Sequence, residues 1–99
     1  MTKKYYSEYV RHALRFYARN TNETHFNNKV DKNNWYACHK AIAPYSDRDK
    51  DLILRVFHMH DTLADNVYEV AKLYCIDQNI IWDLLKDDER SVAQNRGLI

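Results

Sequence analysis

Ninety-nine residues with a single Gly and a single Pro exclude a sandwich or barrel, whose many turns need both, and leave one all-α domain of helices joined by polar turns. No apolar run is long enough to span a membrane, and 13% aromatic residues supply burial area that a disordered chain lacks. The net charge of +1 hides an uneven split: residues 1–45 carry eight Lys or Arg against three acids, and residues 46–99 carry seven against eleven.

The first element is an amphipathic helix over residues 3–19, KKYYSEYVRHALRFYAR. Tyr6, Tyr9, Val10, Ala13, Phe16 and Tyr17 recur at three- and four-residue steps and predict one broad aromatic face. Arg11, Arg15 and Arg19 recur every four residues beside it, with Lys4 one step earlier in phase. Such a stripe is either a row of phosphate contacts or a solvated helix face. Asn20–Asn28 is a polar connector anchored by Phe26, and it contains the glycosylation-type sequence Asn22-Glu23-Thr24. A second helix, capped by Asp31, runs through NNWYACHKAIA to about Ala43, with Trp35, Cys38, Ala41 and Ile42 on its inner face and Pro44 stopping it.

Ser46-Asp47-Arg48-Asp49 has the pattern of a capping box, and Asp47, Asp49 and Asp51 crowd the first helical turn, where the helix dipole favours negative charge. The third helix, about Asp47–His60, packs through Leu52, Ile53, Val56 and Phe57; Leu63 closes the next loop. A fourth helix spans about Asp65–Tyr74. A fifth starts at Gln78 and runs to about Arg96, with Ile81, Leu84, Leu85 and Val92 as its apolar stripe. Gly97 is placed to end it in a left-handed residue, with Leu98 folding back.

Within this series Val67–Leu84 has the spacing of two short helices around a tight turn, the pattern of a helix-turn-helix, whose second helix enters the DNA major groove. Val70, Tyr74, Ile76, Ile81 and Leu84 are apolar where the pair buries its inner faces, Ala71 is small at the crossing, and Asp77 caps the second helix. The same spacing also occurs in ordinary helical packing.

Residues 46–99, SDRDKDLILRVF…NVYEVAKLYCIDQNIIWDLLK…RGLI, resemble the sigma-factor region-4 helix-turn-helix of small regulators from phages and mobile elements of Gram-positive bacteria. The Tyr-rich first helix and the Trp35 segment resemble small phage proteins of that kind less specifically. The resemblance implies a non-enzymatic, cytoplasmic regulator that binds double-stranded DNA, alone or with RNA polymerase or another regulator, as a monomer or homodimer, with no cofactor. It puts the base-facing positions on Asp77, Gln78, Asn79, Trp82, Asp83 and Lys86. The amides of Gln78 and Asn79 suit an adenine edge, and Lys86 and Lys72 suit phosphates. Arg11, Arg15 and Arg19 are further candidate phosphate contacts. The chain departs from the family at Asp83, Asp87, Asp88 and Glu89, where Arg, Lys, Ser or Thr is usual. It departs again at Trp82, and at Cys75, which stands at a turn position that favours glycine. These departures admit a second reading, an adaptor that keeps the fold and binds protein through Trp82.

Catalytic and metal signatures are weak. His58 and His60 lie two apart and point to different sides of a helix, with Asp61 beside them, and Cys38 and His39 are adjacent. Cys38 and Cys75 have neither a pairing motif nor metal spacing. With no apolar leader after Met1-Thr2-Lys3-Lys4, they are expected as reduced thiols in a cytoplasm.

Overall fold

The computed structural model describes residues 6–22 and 25–99. The expected start of the first helix at residues 3–5, Lys4 included, and Glu23–Thr24 of the sequon lie outside that range. Among the described residues there are five helices and no strand: α1 Ser7–Arg19, α2 Lys29–Ile42, α3 Asp47–His58, α4 Leu63–Tyr74 and α5 Gln78–Asn95. None of these helices is long and apolar enough to cross a membrane.

Side-chain caps set the starts. Ser46 accepts the Asp49 amide at 3.2 Å, and Asp77 accepts the Asn79 amide at 2.7 Å, as their positions predict. Two starts differ from the sequence reading. Asn28, not Asp31, caps α2: its carbonyl oxygen accepts the Asp31 amide at 2.8 Å, while its amide nitrogen donates to the Asp31 carboxylate at 3.3 Å. Thr62 accepts the Asp65 amide at 3.2 Å, so α4 begins at Leu63 and the residue expected to close a loop opens a helix. Both shifts have one cause, since a cap satisfies amides two or three residues downstream of itself.

Two helices end in the same motif. At the end of α5 the Leu98 amide donates to the Ala93 carbonyl at 2.8 Å and the Gly97 amide to Gln94 at 3.1 Å, with Gly97 at φ +72°. At the end of α4 the Ile76 amide donates to Ala71 at 3.0 Å and the Cys75 amide to Lys72 at 3.3 Å, with Cys75 at φ +55°. Cys75 therefore holds a left-handed conformation that costs an L-residue roughly 1 kcal/mol.

The core is continuous through all five helices, centred on Phe57, Leu52, Ile53, Ile81 and Leu85. α5 packs against each of the other four helices; α2 lies on α1 and α5, and α4 on α3 and α5. The faces expected of α2 and α3 are buried as read. In α1, Leu14 and Ala18 are buried while Tyr9 lies outside, because its hydroxyl donates to the Asn34 side chain at 3.1 Å. In α5, Leu85 is deeply buried and Leu84 only partly.

Buried polar groups fix the corners. Asn66, at the α3–α4 junction, donates from Nδ2 towards the carbonyls of Val56, Asp61 and Met59 at 3.0–3.3 Å. The Trp35 indole donates to the Asn20 carbonyl at 2.7 Å and ties the end of α1 to α2. Arg96 donates from Nε to Asn34 at 2.6 Å, and Asn95 to the Ala37 carbonyl at 3.0 Å, so the far end of α5 is fastened to α2.

Candidate functional site

The eight residues singled out as DNA contacts fall into two groups. The first is gathered where α4 meets α5. The Cys75-Ile76-Asp77 turn reverses the chain, and the Asp77 cap starts α5 with Gln78 and Asn79 in its first turn. An open cleft of about 570 Å³ lies between the helices, lined by Lys72, Asp77, Gln78, Asn79 and Trp82, with Tyr68 on the α4 side. Gln78, Trp82 and Lys86 follow one another at four-residue steps, with Asn79 alongside, and thus share one flank of α5. Lys72, Gln78, Asn79 and Lys86 are exposed; Trp82 is half-buried, its ring packed on the core. Tyr68, 51% exposed, escaped the sequence reading. Its signal was its position one turn before Lys72.

The acids that α5 carries are sorted away from this cleft. Asp83 and Asp87 line a separate cleft of about 370 Å³ with Ile80, Leu84, Arg48 and Asp49, and Asp83, one turn after Asn79, borders the two sides. Asp88 and Glu89 are buried. Along the sequence all four are outward charge; the structure turns two of them inward. Asp88 continues the apolar spacing of Ile81, Leu85 and Val92 at three- and four-residue steps, which is the signal that was passed over.

Those two buried carboxylates are treated differently. Glu89 is paired with the Arg11 guanidinium, joining the acidic end of the chain to the basic one. Asp88 is fully buried, and neither of its oxygens receives a hydrogen bond. Burial first, and then the nearby Glu89 and Asp87 charges, push its carboxyl up to about 7. Its field reaches outward as well. Burial pushes the Cys38 thiol and the Tyr45 hydroxyl above their usual ranges, with Asp88 adding to both shifts. The Tyr45 hydroxyl points instead at Asp87, 3.5 Å away.

The second group, on α1, is dispersed into structural contacts. Arg11 is held by Glu89. Arg19 donates to the His58 and Met59 carbonyls at 3.4 and 3.2 Å, covering the end of α3. Arg15 is half-buried. The structure therefore brings Lys72, Gln78, Asn79 and Trp82 together, with Lys86 one turn beyond, and gives Arg11 and Arg19 partners inside the fold.

Among the described residues, no three His, Cys, Asp or Glu side chains are grouped to hold a metal ion. The His58 and His60 rings stand 6.5 Å apart and both residues are exposed. Cys38 is buried and Cys75 exposed, both as free thiols. Compared with protein-family descriptions, curated proteins and solved structures, the chain matches none.

Proposed function

We propose that α4 and α5 act as a helix-turn-helix that binds double-stranded DNA, and that the protein is a non-enzymatic regulator of the phage or mobile-element type. One observation carries this reading: Lys72, Gln78, Asn79 and Trp82 line one cleft with Lys86 one turn beyond and Asp77 its one acid, while Asp83 and Asp87 line another cleft and Asp88 and Glu89 are buried. Gln78 and Asn79 offer amides to adenine edges, Lys72 and Lys86 offer charge to the backbone on either side, and Tyr68 and Trp82 form the wall of the cleft. The output is occupancy of a site, alone or beside a polymerase.

Selection from a random duplex pool tests it. The wild-type chain enriches a motif containing adenines, and the Gln78→Ala/Asn79→Ala variant enriches none while keeping its helical circular-dichroism spectrum. A pool that emerges unchanged after selection at low salt sinks the proposal.

A second reading has its own observation. The other flank of α5 exposes Ile80 at 44% beside half-buried Leu84, rimmed by Asp49, Asp83 and Asp87. With Arg11 and Arg19 spent on internal contacts, an adaptor that meets a protein through this flank is the alternative.

A further inference from the structure

A different surface carries charge and aromatic area that nothing in the α4–α5 cleft uses. α2 buries Asn34, Trp35, Ala37, Cys38, Ala41 and Ile42, so its opposite side is left outward. Lys29, Lys32, Tyr36, His39 and Lys40 all lie there and all are exposed. Their three- and four-residue steps place them on one face, about 17 Å from end to end at 1.5 Å per residue. Tyr36 stands amid the three lysines, 53% exposed. The one acid of the helix, Asp31, is taken up by Asn28 at the cap. The ion pairs of the described residues involve none of these lysines.

The tyrosine is braced from behind. Its ring lies 5.1 Å from Trp35 at 81° and 6.2 Å from Phe26 at 52°. Trp35 is in turn stacked on His39 at 4.7 Å, and the His39 ring nitrogen Nδ1 is 2.8 Å from the Tyr17 hydroxyl. A cleft of about 400 Å³ opens beside Tyr36, bounded by Phe26, Asn28, Lys29 and Lys32. An aromatic ring set among unpaired cations and fixed before binding suits a ligand with both a flat π face and negative charge. A duplex hides its base faces by stacking; an unpaired base offers its own.

We propose that the outward face of α2 holds a single nucleic-acid strand, with an unpaired base stacked on Tyr36 and the strand's phosphates on Lys29, Lys32 and Lys40. This site is separate from the α4–α5 cleft, because α2 packs on α1 and α5 whereas α4 packs on α3 and α5. DNA and RNA strands share the chemistry that the face recognises, and strands of one base differ between them in the 2′-hydroxyl.

Fluorescence anisotropy of labelled oligodeoxyuridylate and oligouridylate, each of about twelve nucleotides, tests the assignment with the full-length chain. At low salt both bind, with affinity falling as salt rises. Lys29→Ala/Lys32→Ala lessens the log–log salt slope by about 1.4, at roughly 0.7 per phosphate contact on a single strand. Tyr36→Ala weakens binding about tenfold and leaves the slope unchanged, as loss of a stacked base requires. Gln78→Ala/Asn79→Ala leaves strand binding intact, which separates this site from the proposed duplex site. A preference for oligouridylate over oligodeoxyuridylate assigns the face to RNA, and the reverse to DNA. Absence of strand binding at low salt overturns the proposal. So does a Tyr36→Ala variant that binds like wild type, equal competition by an unlabelled duplex, or equal competition by a polyglutamate peptide. Circular dichroism of each variant verifies that the fold is kept, and because every substituted side chain is exposed, lost binding reports the contact.

Discussion

The two flanks of α5 carry different chemistry on one helix. Towards α4 it presents Gln78, Asn79, Trp82 and Lys86 beside Lys72, polar or cationic around a half-buried ring. Away from α4 it presents Ile80, Asp83, Leu84 and Asp87 beside Asp49, apolar and acidic. Between them, on the inner side, Asp88 is buried and Glu89 is paired with Arg11. A count of charges along the sequence makes this helix look hostile to a polyanion. Its geometry buries two of the acids and places Asp83 and Asp87 in another cleft, leaving only the capping Asp77 among the residues that line the α4–α5 cleft, which is why net charge speaks to association and not to the location of a site.

The largest effect expected comes from beneath the two flanks. Asp88 has its folded-state pKa raised from 3.8 to about 7. The folded form therefore favours the neutral acid, and stability present below the unfolded pKa is lost as pH rises through about 7. At 1.36 kcal/mol per unit the full loss is roughly 4 kcal/mol, of which roughly 3 falls between pH 5 and pH 8. Tm should therefore drop by about 15 °C across that interval. Asp88→Asn should remove most of the drop. A variant whose Tm follows pH as steeply as wild type would show that some other group is responsible.

Next in size is the polar flank itself. Gln78→Ala/Asn79→Ala should weaken binding to a selected duplex about a hundredfold, since each bidentate amide–adenine pair is worth about 1–3 kcal/mol. The α1 arginine that joins the two ends of the chain should act on stability instead. Arg11→Ala leaves the Glu89 carboxylate buried without its partner and should cost about 2 kcal/mol, discounted for the partial exposure of Arg11. Its duplex affinity, measured well below the lowered Tm, should stay within about twofold of wild type. A large affinity loss without a stability loss would return Arg11 to the surface role that its sequence position suggested.

The smallest effect is assigned to the acidic flank. Asp83→Asn/Asp87→Asn should change duplex affinity by less than about threefold at moderate salt, because both carboxylates are exposed, line the other cleft and are screened by solvent and salt. A tenfold gain would mean that this flank faces the DNA after all, and the separation of the two sides would lose its meaning.

How much of this was legible in the sequence follows from what each residue's neighbours decide. Local rules suffice for the helices, since the Ser46 and Asp77 caps, the Gly97 terminus and the faces of α2 and α3 depend on spacing within one element. Even the left-handed Cys75 is foreshadowed, because the family resemblance puts it at a turn position that favours glycine. What could not be read were contacts between distant parts. Arg11 and Glu89 are 78 positions apart, and Arg19 reaches carbonyls 39 and 40 positions away. A cationic stripe therefore read as surface charge when two of its members serve the fold. Asp88 failed for another reason: an acid in an apolar register is discounted by its residue type, although its position marks it as core. Of the cleft, Lys72, Gln78, Asn79 and Trp82 come from the family resemblance, and Tyr68 is absent from it because its place one turn before Lys72 does not by itself mark a cleft wall.

The claim on which the rest depends is that the α4-facing flank of α5 lies against a DNA backbone and grooves. Duplex binding across a salt series, wild type beside Lys86→Ala, addresses it directly. The account predicts measurable binding at low salt, a steep linear fall of log affinity with log salt, and a slope smaller by about 0.9 in the variant, the value for one released phosphate contact. Equal slopes for the two proteins, or no duplex binding at any salt concentration, would contradict it.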